Sequence, residues 1–131
     1  MNGFGEAAGS ERRLGLARDP ASAGEARQLV DALLVGSGAS ENARASGQLV
    51  ASELVTNALQ HGKGAIELRL KLIGEFLRIE VVDQGRDQAP AVRQSQPDET
   101  GGWGLRIVDQ VAAQWGVFEG TTHVWADVAL G

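Results

Sequence analysis

Three polar residues in the middle of the chain have the types and the spacing to bind a ligand. Glu53, Asn57 and His61 stand four residues apart, so on an α-helix, which turns by about 100° per residue, they share one face. Apolar residues fill most other positions of this segment, which predicts a helix that is buried over most of its circumference. Carboxylate, amide and imidazole groups seldom lie in such surroundings unless they are paired or bind something. A bound ligand is one interpretation. The alternative is that Glu53 and Asn57 pair with each other or contact water at a thin edge of the helix.

Asp83 is a second residue whose surroundings the sequence predicts. Leu77, Ile79 and Val81 alternate with more polar residues and predict the apolar face of a strand. Asp83 has the same parity, so its carboxylate is expected on the core-facing side where that strand ends, and there it needs a partner. The alternative is that the strand has already ended and Asp83 opens a turn with Gly85, which is common for aspartate before glycine.

A glycine-rich stretch, Gly101-Gly102-Trp103-Gly104-Leu105, precedes the last helical pattern of the chain. Free backbone N–H groups and the positive end of the helix dipole make such a turn a site for phosphate. A simple hinge before a helix is the alternative. Residues 84–100 before it are polar and without period, and unstructured segments of that length in compact domains are usually lids, binding loops or disorder.

The rest of the pattern predicts the elements that position these residues. Ser22, with Glu25 three residues later, is expected to cap one helix, and Ser40 the next. Glycines end both helices, the second within His61-Gly62-Lys63-Gly64 by a left-handed glycine. His123 is expected on a strand surface. The predicted order is an edge strand at 14–17, a helix at 23–35, a helix at 43–60, a hairpin of two strands around Gly74-Glu75, a helix from Leu105 to Ala112, a strand from Trp115 and a last strand through Val124, Ala126 and Val128.

Length, composition and charge limit the class of protein. A chain of 131 residues with 43% hydrophobic residues fits one domain with one core. We expect residues 1–13 to be a flexible tail without the apolar segment of a signal peptide, and residues 14–131 to form the single domain. The net charge of −5 argues against direct nucleic-acid binding. No segment has the length of a membrane span, and the lack of cysteine excludes disulfides and fits a cytoplasmic location.

The three polar features are chemically complementary. Asp83 can accept a hydrogen bond from an exocyclic amine, and the glycine turn can hold phosphates. Asn57 offers an oxygen to Mg²⁺, which prefers hard oxygen ligands together with phosphate oxygens. Glu53, one helical turn earlier, can polarise a water or a hydroxyl beside a γ-phosphate. Together these groups describe a site for a magnesium nucleotide.

These same stretches resemble the motifs of the GHKL, or Bergerat-fold, ATP-binding superfamily. Residues 53–61 look like its N-box, residues 83–85 like its first glycine box and residues 101–105 like its second. The segment from Ser52 to Ala58 and the closing Gly102-Trp103-Gly104-Leu105 resemble the anti-sigma-factor serine/threonine kinase branch. The resemblance implies an α+β two-layer sandwich, with helices on one face of a mixed, mainly antiparallel sheet and ATP held between the helices and a mobile lid.

The resemblance also implies residue roles. It makes Glu53 the general base, Asn57 the Mg²⁺ ligand and Asp83 the adenine ligand. Gly85 would let the adenine ring approach the backbone. The other ATP contacts that it implies are His61, Gly102, Trp103, Gly104, Leu105 and, through a threonine in the last strand, Thr122. The chain departs from the family pattern at Asp87, which stands where the first glycine box commonly has its second glycine. That departure bears on lid geometry and nucleotide affinity.

The implied function is that of a cytoplasmic regulator that binds a sigma factor and phosphorylates a serine or threonine on a STAS-type anti-sigma-factor antagonist. The kinase relatives also suggest a homodimer. Asp87 motivates an alternative, a nucleotide-binding or partner-binding regulatory module without kinase activity. A third reading is a detached histidine-kinase ATP domain. We expect it less, because the chain has neither upstream dimerisation helices nor room for a phosphoacceptor histidine.

Overall fold

The computed structural model describes residues 11–85, 103–118 and 123–131, and for Trp103 and Gly104 the backbone alone. The described residues form three helices and five strands. In chain order these are β1 (Glu11–Leu16), α1 (Ser22–Leu34), α2 (Glu41–His61), β2 (Ile66–Ile73), β3 (Phe76–Val82), α3 (Trp103–Val111), β4 (Gln114–Val117) and β5 (Val124–Ala129). Each predicted element is therefore present. Strand β1 begins at Glu11, so the predicted tail of residues 1–13 is too long by its last three residues.

The strands form one sheet in the order β1-β2-β3-β5-β4, and each of these neighbouring pairs is antiparallel. One row of apolar side chains crosses all five strands on the face that the helices cover. Its members, in register, are Leu14, Leu68, Val81, Val124 and Val117. The predicted α+β sandwich, with helices on one face of a mainly antiparallel sheet, is confirmed, and β1 is an edge strand as predicted.

Helix α2 is the central helix of the layer above the sheet. It packs against α1, α3 and the strands β2, β3 and β5. Its buried face includes Val50, Leu54, Val55 and Ala58, each at most 1% exposed. The packing is close, because a Cβ added at Gly47 would lie 3.2 Å from side-chain atoms of both α1 and β3. The site residues on this helix are therefore fixed relative to the sheet.

The beginnings of α1 and α2 differ in how they are capped. The Ser40 hydroxyl accepts a hydrogen bond from the Ala43 N–H at 3.0 Å, so the predicted cap of α2 is confirmed. The predicted Ser22 cap of α1 is wrong. The Ser22 hydroxyl is buried and donates to the Ala17 carbonyl at 2.6 Å, while the turn before the helix is held by Asp19, whose carboxylate accepts from the Ala21 N–H at 2.7 Å.

The outer face of the sheet carries a cross-strand ion pair. Arg78 on β3 donates to both carboxylate oxygens of Asp127 on β5, at 2.7 and 2.8 Å, and Gln114 on β4 donates to the same carboxylate at 2.7 Å. The hydrogen bond from Arg78 is the main reason why the pKa of Asp127 is lowered. The guanidinium also lies 4.5 Å from the Trp125 ring centroid. These contacts join β3, β5 and β4.

A second carboxylate on the outer face, that of Glu80, is 4% exposed. It lies 3.0 Å from His123 Nε2, 3.7 Å from Lys71 Nζ and 4.0 Å from Arg69 Nη1. His123 is thus on the outer strand face, as predicted, but it is mostly covered and contacts a buried carboxylate. None of the described helices is both long and apolar enough to cross a membrane.

Candidate nucleotide-binding site

The polar face predicted on the central helix is present on α2. Asn57 is 8% exposed, whereas Glu53 and His61 are half-buried. The Asn57 side-chain nitrogen is buried and has no hydrogen-bond partner in the part of the chain that the structure describes. Pairing of Glu53 with Asn57 would use this nitrogen as the donor, so the alternative in which the two side chains satisfy each other is not what the structure contains.

The Asn57 amide is therefore a candidate ligand-binding group. A buried polar group without a hydrogen bond costs about 1–3 kcal/mol, and few native proteins retain one without a reason. Rotation of the amide by half a turn places its oxygen where the nitrogen is, and that oxygen is a hard ligand of the kind that Mg²⁺ prefers. Within the described residues, no group of three or more histidine and acidic side chains is arranged to hold a metal ion. Magnesium at nucleotides commonly takes few protein ligands and completes its shell with phosphate oxygens and water.

Glu53 lies one helical turn before Asn57 on the same face. Burial raises the pKa of its carboxyl group above the ordinary value of 4.5. The negative charge is therefore less favourable in the folded protein than in the unfolded chain, and the group gains affinity for a proton. A carboxylate of this kind is suited to accept a proton from a hydroxyl.

The end of β3 brings Asp83 against the end of α2. Asp83 is 9% exposed, and its Oδ1 accepts a hydrogen bond from the Gly85 N–H at 2.9 Å. Its Oδ2 lies so close to Gly62 that a Cβ added there would be 1.9 Å from it. Both predictions for Asp83 are thus correct together: the carboxylate is on the core-facing side, and it opens a turn with Gly85. Gly85 itself has φ of +146°, a conformation that other residues rarely adopt.

The turn after α2 completes this contact. The Gln84 N–H donates to the Lys63 carbonyl at 2.8 Å, and a Cβ at Gly64 would lie 1.9 Å from Gln84 Oε1. The predicted left-handed glycine is Gly64, with φ of +71°, whereas Gly62 has φ of −94°. Gly62 is required for a different reason, because only a residue without Cβ leaves room for the Asp83 carboxylate. The turn that directly follows the predicted N-box is therefore in contact with the predicted first glycine box.

Arg18 is a residue of this region that the sequence pattern did not reveal. It lies between β1 and α1, and its guanidinium donates to the carbonyls of Ala58 at 2.9 Å, Leu59 at 2.8 Å, Gly62 at 3.1 Å and Gly64 at 3.1 Å. These partners are 40 to 46 residues away in the chain. No local pattern marks an arginine with such distant contacts.

The third predicted stretch is described only in part. Helix α3 begins at Trp103 and packs against α2, and Leu105 is 4% exposed in the hydrophobic core. Gly102 and Thr122 lie outside the described residues, as does Asp87. The roles expected of Gly102, Trp103, Gly104, Leu105 and Thr122 therefore stay predictions.

A model of the histidine kinase-like ATPase domain family matches residues 16–126 of this chain. The chain belongs to this family. The predicted resemblance to the GHKL superfamily is thereby confirmed. No curated protein matches the sequence.

Among solved structures, this ATPase domain is similar to a crystal structure of the RsbU and RsbW domains of Rv1364c from Mycobacterium tuberculosis. The TM-score is 0.66 and the sequence identity is 22%, over 90% of this chain and 30% of the other. The domain thus spans less than a third of the matched chain. At this identity the likeness establishes the fold.

Replacement of Glu53 by glutamine is expected to stabilise the domain at neutral pH. Because the pKa of Glu53 is raised on folding, the charged carboxylate opposes folding at pH 7, and this penalty is absent below the unfolded-state pKa, where both states are protonated. The free energy of unfolding of Glu53→Gln should exceed that of the parent at pH 7, and the difference should vanish near pH 4. Urea denaturation at both pH values measures it. Glu75→Gln, at the exposed hairpin turn, is the control and should change stability by less than about 0.5 kcal/mol. A Glu53→Gln variant less stable than its parent at pH 7 would contradict this account.

Replacement of Gly62 by alanine is expected to destabilise the domain by about 1–3 kcal/mol, since the new methyl group would force the Asp83 carboxylate away. The matched control is Gly15→Ala on β1, where an added Cβ meets no described atom within 4 Å, and which should stay within about 0.5 kcal/mol of the parent. Thermal and urea unfolding of the two variants test this. Equal stability of both variants would show that the Gly62 contact does not constrain the turn.

Proposed function

We propose that this ATPase domain binds ATP with Mg²⁺ at the adjoining ends of α2 and β3. We further propose that it is an anti-sigma-factor-type regulator, which binds a sigma factor and transfers phosphate to a serine or threonine of a STAS-type antagonist protein. The observation that carries the proposal is the buried side-chain nitrogen of Asn57, which has no hydrogen-bond partner among the described residues. It lies beside Glu53, a carboxylate whose pKa is raised by burial. Both groups oppose folding when no ligand is bound. A bound magnesium nucleotide would give each of them an interaction partner.

The adenine end of the site is formed by Asp83. The Gly85 N–H and the close contact with Gly62 hold its carboxylate in one orientation. A carboxylate so held accepts a hydrogen bond from the exocyclic amine of adenine, and guanine offers a carbonyl at that position instead. No described atom lies within 4 Å of the place where a Gly85 side chain would begin, so a flat base can approach the backbone there.

The phosphate end lies toward Glu53. Bound Mg²⁺ neutralises charge on the phosphates, and Asn57 is the protein ligand that we propose for it. Glu53 accepts the proton of the attacking serine or threonine hydroxyl. The hydroxyl oxygen forms a bond to the γ-phosphorus while the bond from that phosphorus to the bridging oxygen breaks, which leaves ADP and a phosphorylated acceptor. Such a transfer needs positioning and charge compensation more than covalent help from the protein.

The narrower regulatory role has two supports. The segment from Ser52 to Ala58 resembles the anti-sigma-factor kinase branch, and the fold is similar to a structure that includes an RsbW domain. ATP and sigma factors are cytoplasmic, so we propose that compartment for this protein, without a direct nucleic-acid or membrane partner. The homodimer stays a prediction.

Asp87 favours a second candidate function. It replaces a glycine that the family commonly has in the first glycine box, and an aspartate adds bulk and negative charge to that motif. In this candidate the domain binds a nucleotide or a protein partner and does not transfer phosphate.

The proposed roles of Glu53 and Asn57 predict different defects. Glu53→Gln should bind ATP with Mg²⁺ as the parent does and transfer phosphate about 100-fold more slowly or worse. Asn57→Ala should lose about tenfold in ATP affinity with Mg²⁺ present and much less without it. Calorimetric titration of ATP with and without Mg²⁺ tests this, with Gln60→Ala, at an exposed position of α2, as the control. The division of roles is rejected if both site variants lose nucleotide binding equally.

Phosphate transfer itself is tested with labelled ATP and a panel of STAS-type antagonist domains. We expect one acceptor to become labelled on serine or threonine. The rate should fall as the pH drops through the raised pKa of Glu53, because protonation removes the base, and this limb of the profile should be absent in Glu53→Gln. An antagonist domain that binds the protein but is never labelled would favour the second candidate.

A further inference from the structure

Arg18 closes the C-terminal end of α2 from outside the helix. The last carbonyls of an α-helix have no partners within the helix and carry its partial negative charge. The Arg18 guanidinium donates to the Leu59 carbonyl and to the Ala58 carbonyl, which also accepts the Gly62 N–H, and continues to the carbonyls of Gly62 and Gly64 in the following turn. Nη2 lies within hydrogen-bond distance of three of the four carbonyls, and Nη1 donates to the fourth, that of Gly64. Two nitrogens of one planar group therefore bridge the end of the helix and the following turn, a span that the single nitrogen of a lysine ammonium does not match.

The segment that Arg18 holds is the one on which the end of β3 rests. Gly62 and Gly64 each present their Cα to a side chain from that end, the first to Asp83 and the second to Gln84. Between them, the Lys63 carbonyl accepts the Gln84 N–H. Arg18 donates to the carbonyls of Gly62 and Gly64, the residues on either side of Lys63. Its hydrogen bonds therefore flank the one between Lys63 and Gln84.

We propose that Arg18 is a positioning residue for nucleotide selectivity. It fixes the turn from Gly62 to Gly64, the turn fixes the Asp83 carboxylate, and Asp83 distinguishes adenine from guanine. Arg18 acts without touching the nucleotide. This inference rests on the proposed binding of ATP.

The selectivity of Arg18 variants tests the proposal. In Arg18→Ala, the affinity for ATP should fall about tenfold while that for GTP changes by less than about threefold, so the ATP-to-GTP preference shrinks. Arg18→Lys should lie between this variant and the parent, because an ammonium keeps the charge but not the planar set of donors. The matched control is Arg13→Ala, an exposed arginine of β1, which should leave both affinities unchanged. Titration calorimetry measures affinity and stoichiometry separately.

A purely stabilising helix cap would give a different result. It would lower the melting temperature and the fraction of protein that binds, while the folded fraction kept the parental ratio of ATP to GTP affinity. That result would overturn the proposal.

Hydrogen exchange separates failure of this inference from failure of the proposed function. If the parent protein binds no ATP, the proposed function fails, and selectivity through Arg18 fails with it. Whether Arg18 fixes the turn against the end of β3 can still be tested by itself. In Arg18→Ala, the Gln84 amide, which is bonded to Lys63, should exchange at least about tenfold faster, whereas the Leu68 amide in β2 should exchange at the parental rate. An unchanged Gln84 amide would refute the positioning role even in a protein that binds ATP.

Discussion

The close contact between the Asp83 carboxylate and the Cα of Gly62 is the constraint on which the site depends. The chain after α2 and the chain after β3 meet there with no space for a side chain on the helix end. Because both segments leave rigid elements of opposite layers, this contact fixes the helix layer relative to the sheet at the end of the molecule where we propose that ATP binds. The polar face of α2 and the acidic end of β3 would otherwise belong to two separate surfaces. The glycine-specific contact makes them one site.

Two sets of buried polar groups in this domain differ in how they affect folding, and the difference supports the proposed position of the ligand. On the outer face of the sheet, Asp127 is buried but bonded to Arg78 and Gln114, and its pKa is lowered. Its charge therefore favours the folded state above the unfolded-state pKa. On α2, burial raises the pKa of Glu53, and the Asn57 nitrogen has no described partner. The first kind stabilises the sheet, whereas the second opposes folding, and unfavourable polar groups of this kind are concentrated at functional sites.

The sequence predicts the elements of this fold well because their signals are local. Alternation of apolar residues identified each strand, and the Ser40 cap and the Gly74 turn follow from chemistry within a few residues. The predicted cap at Ser22 was wrong, because the Ser22 hydroxyl donates to the Ala17 carbonyl and the turn before α1 is held by Asp19. Asp83 was predicted as either core-facing or turn-forming, and it is both, since its two oxygens serve different neighbours.

What the sequence could not predict depends on contacts between distant segments. Arg18 and its carbonyl partners are separated by 40 to 46 residues, and an arginine before Asp19-Pro20 has no feature that distinguishes it from any surface arginine. The same holds for Gly62, whose need for glycine arises from Asp83, just after the end of β3, and not from its own backbone angles. The edge strand consequently has more than a structural part in the fold. Strand β1 pairs with β2 at the edge of the sheet, and the chain that leaves it places Arg18 at the end of α2, so the register of this outermost strand determines whether the guanidinium reaches the turn that supports Asp83.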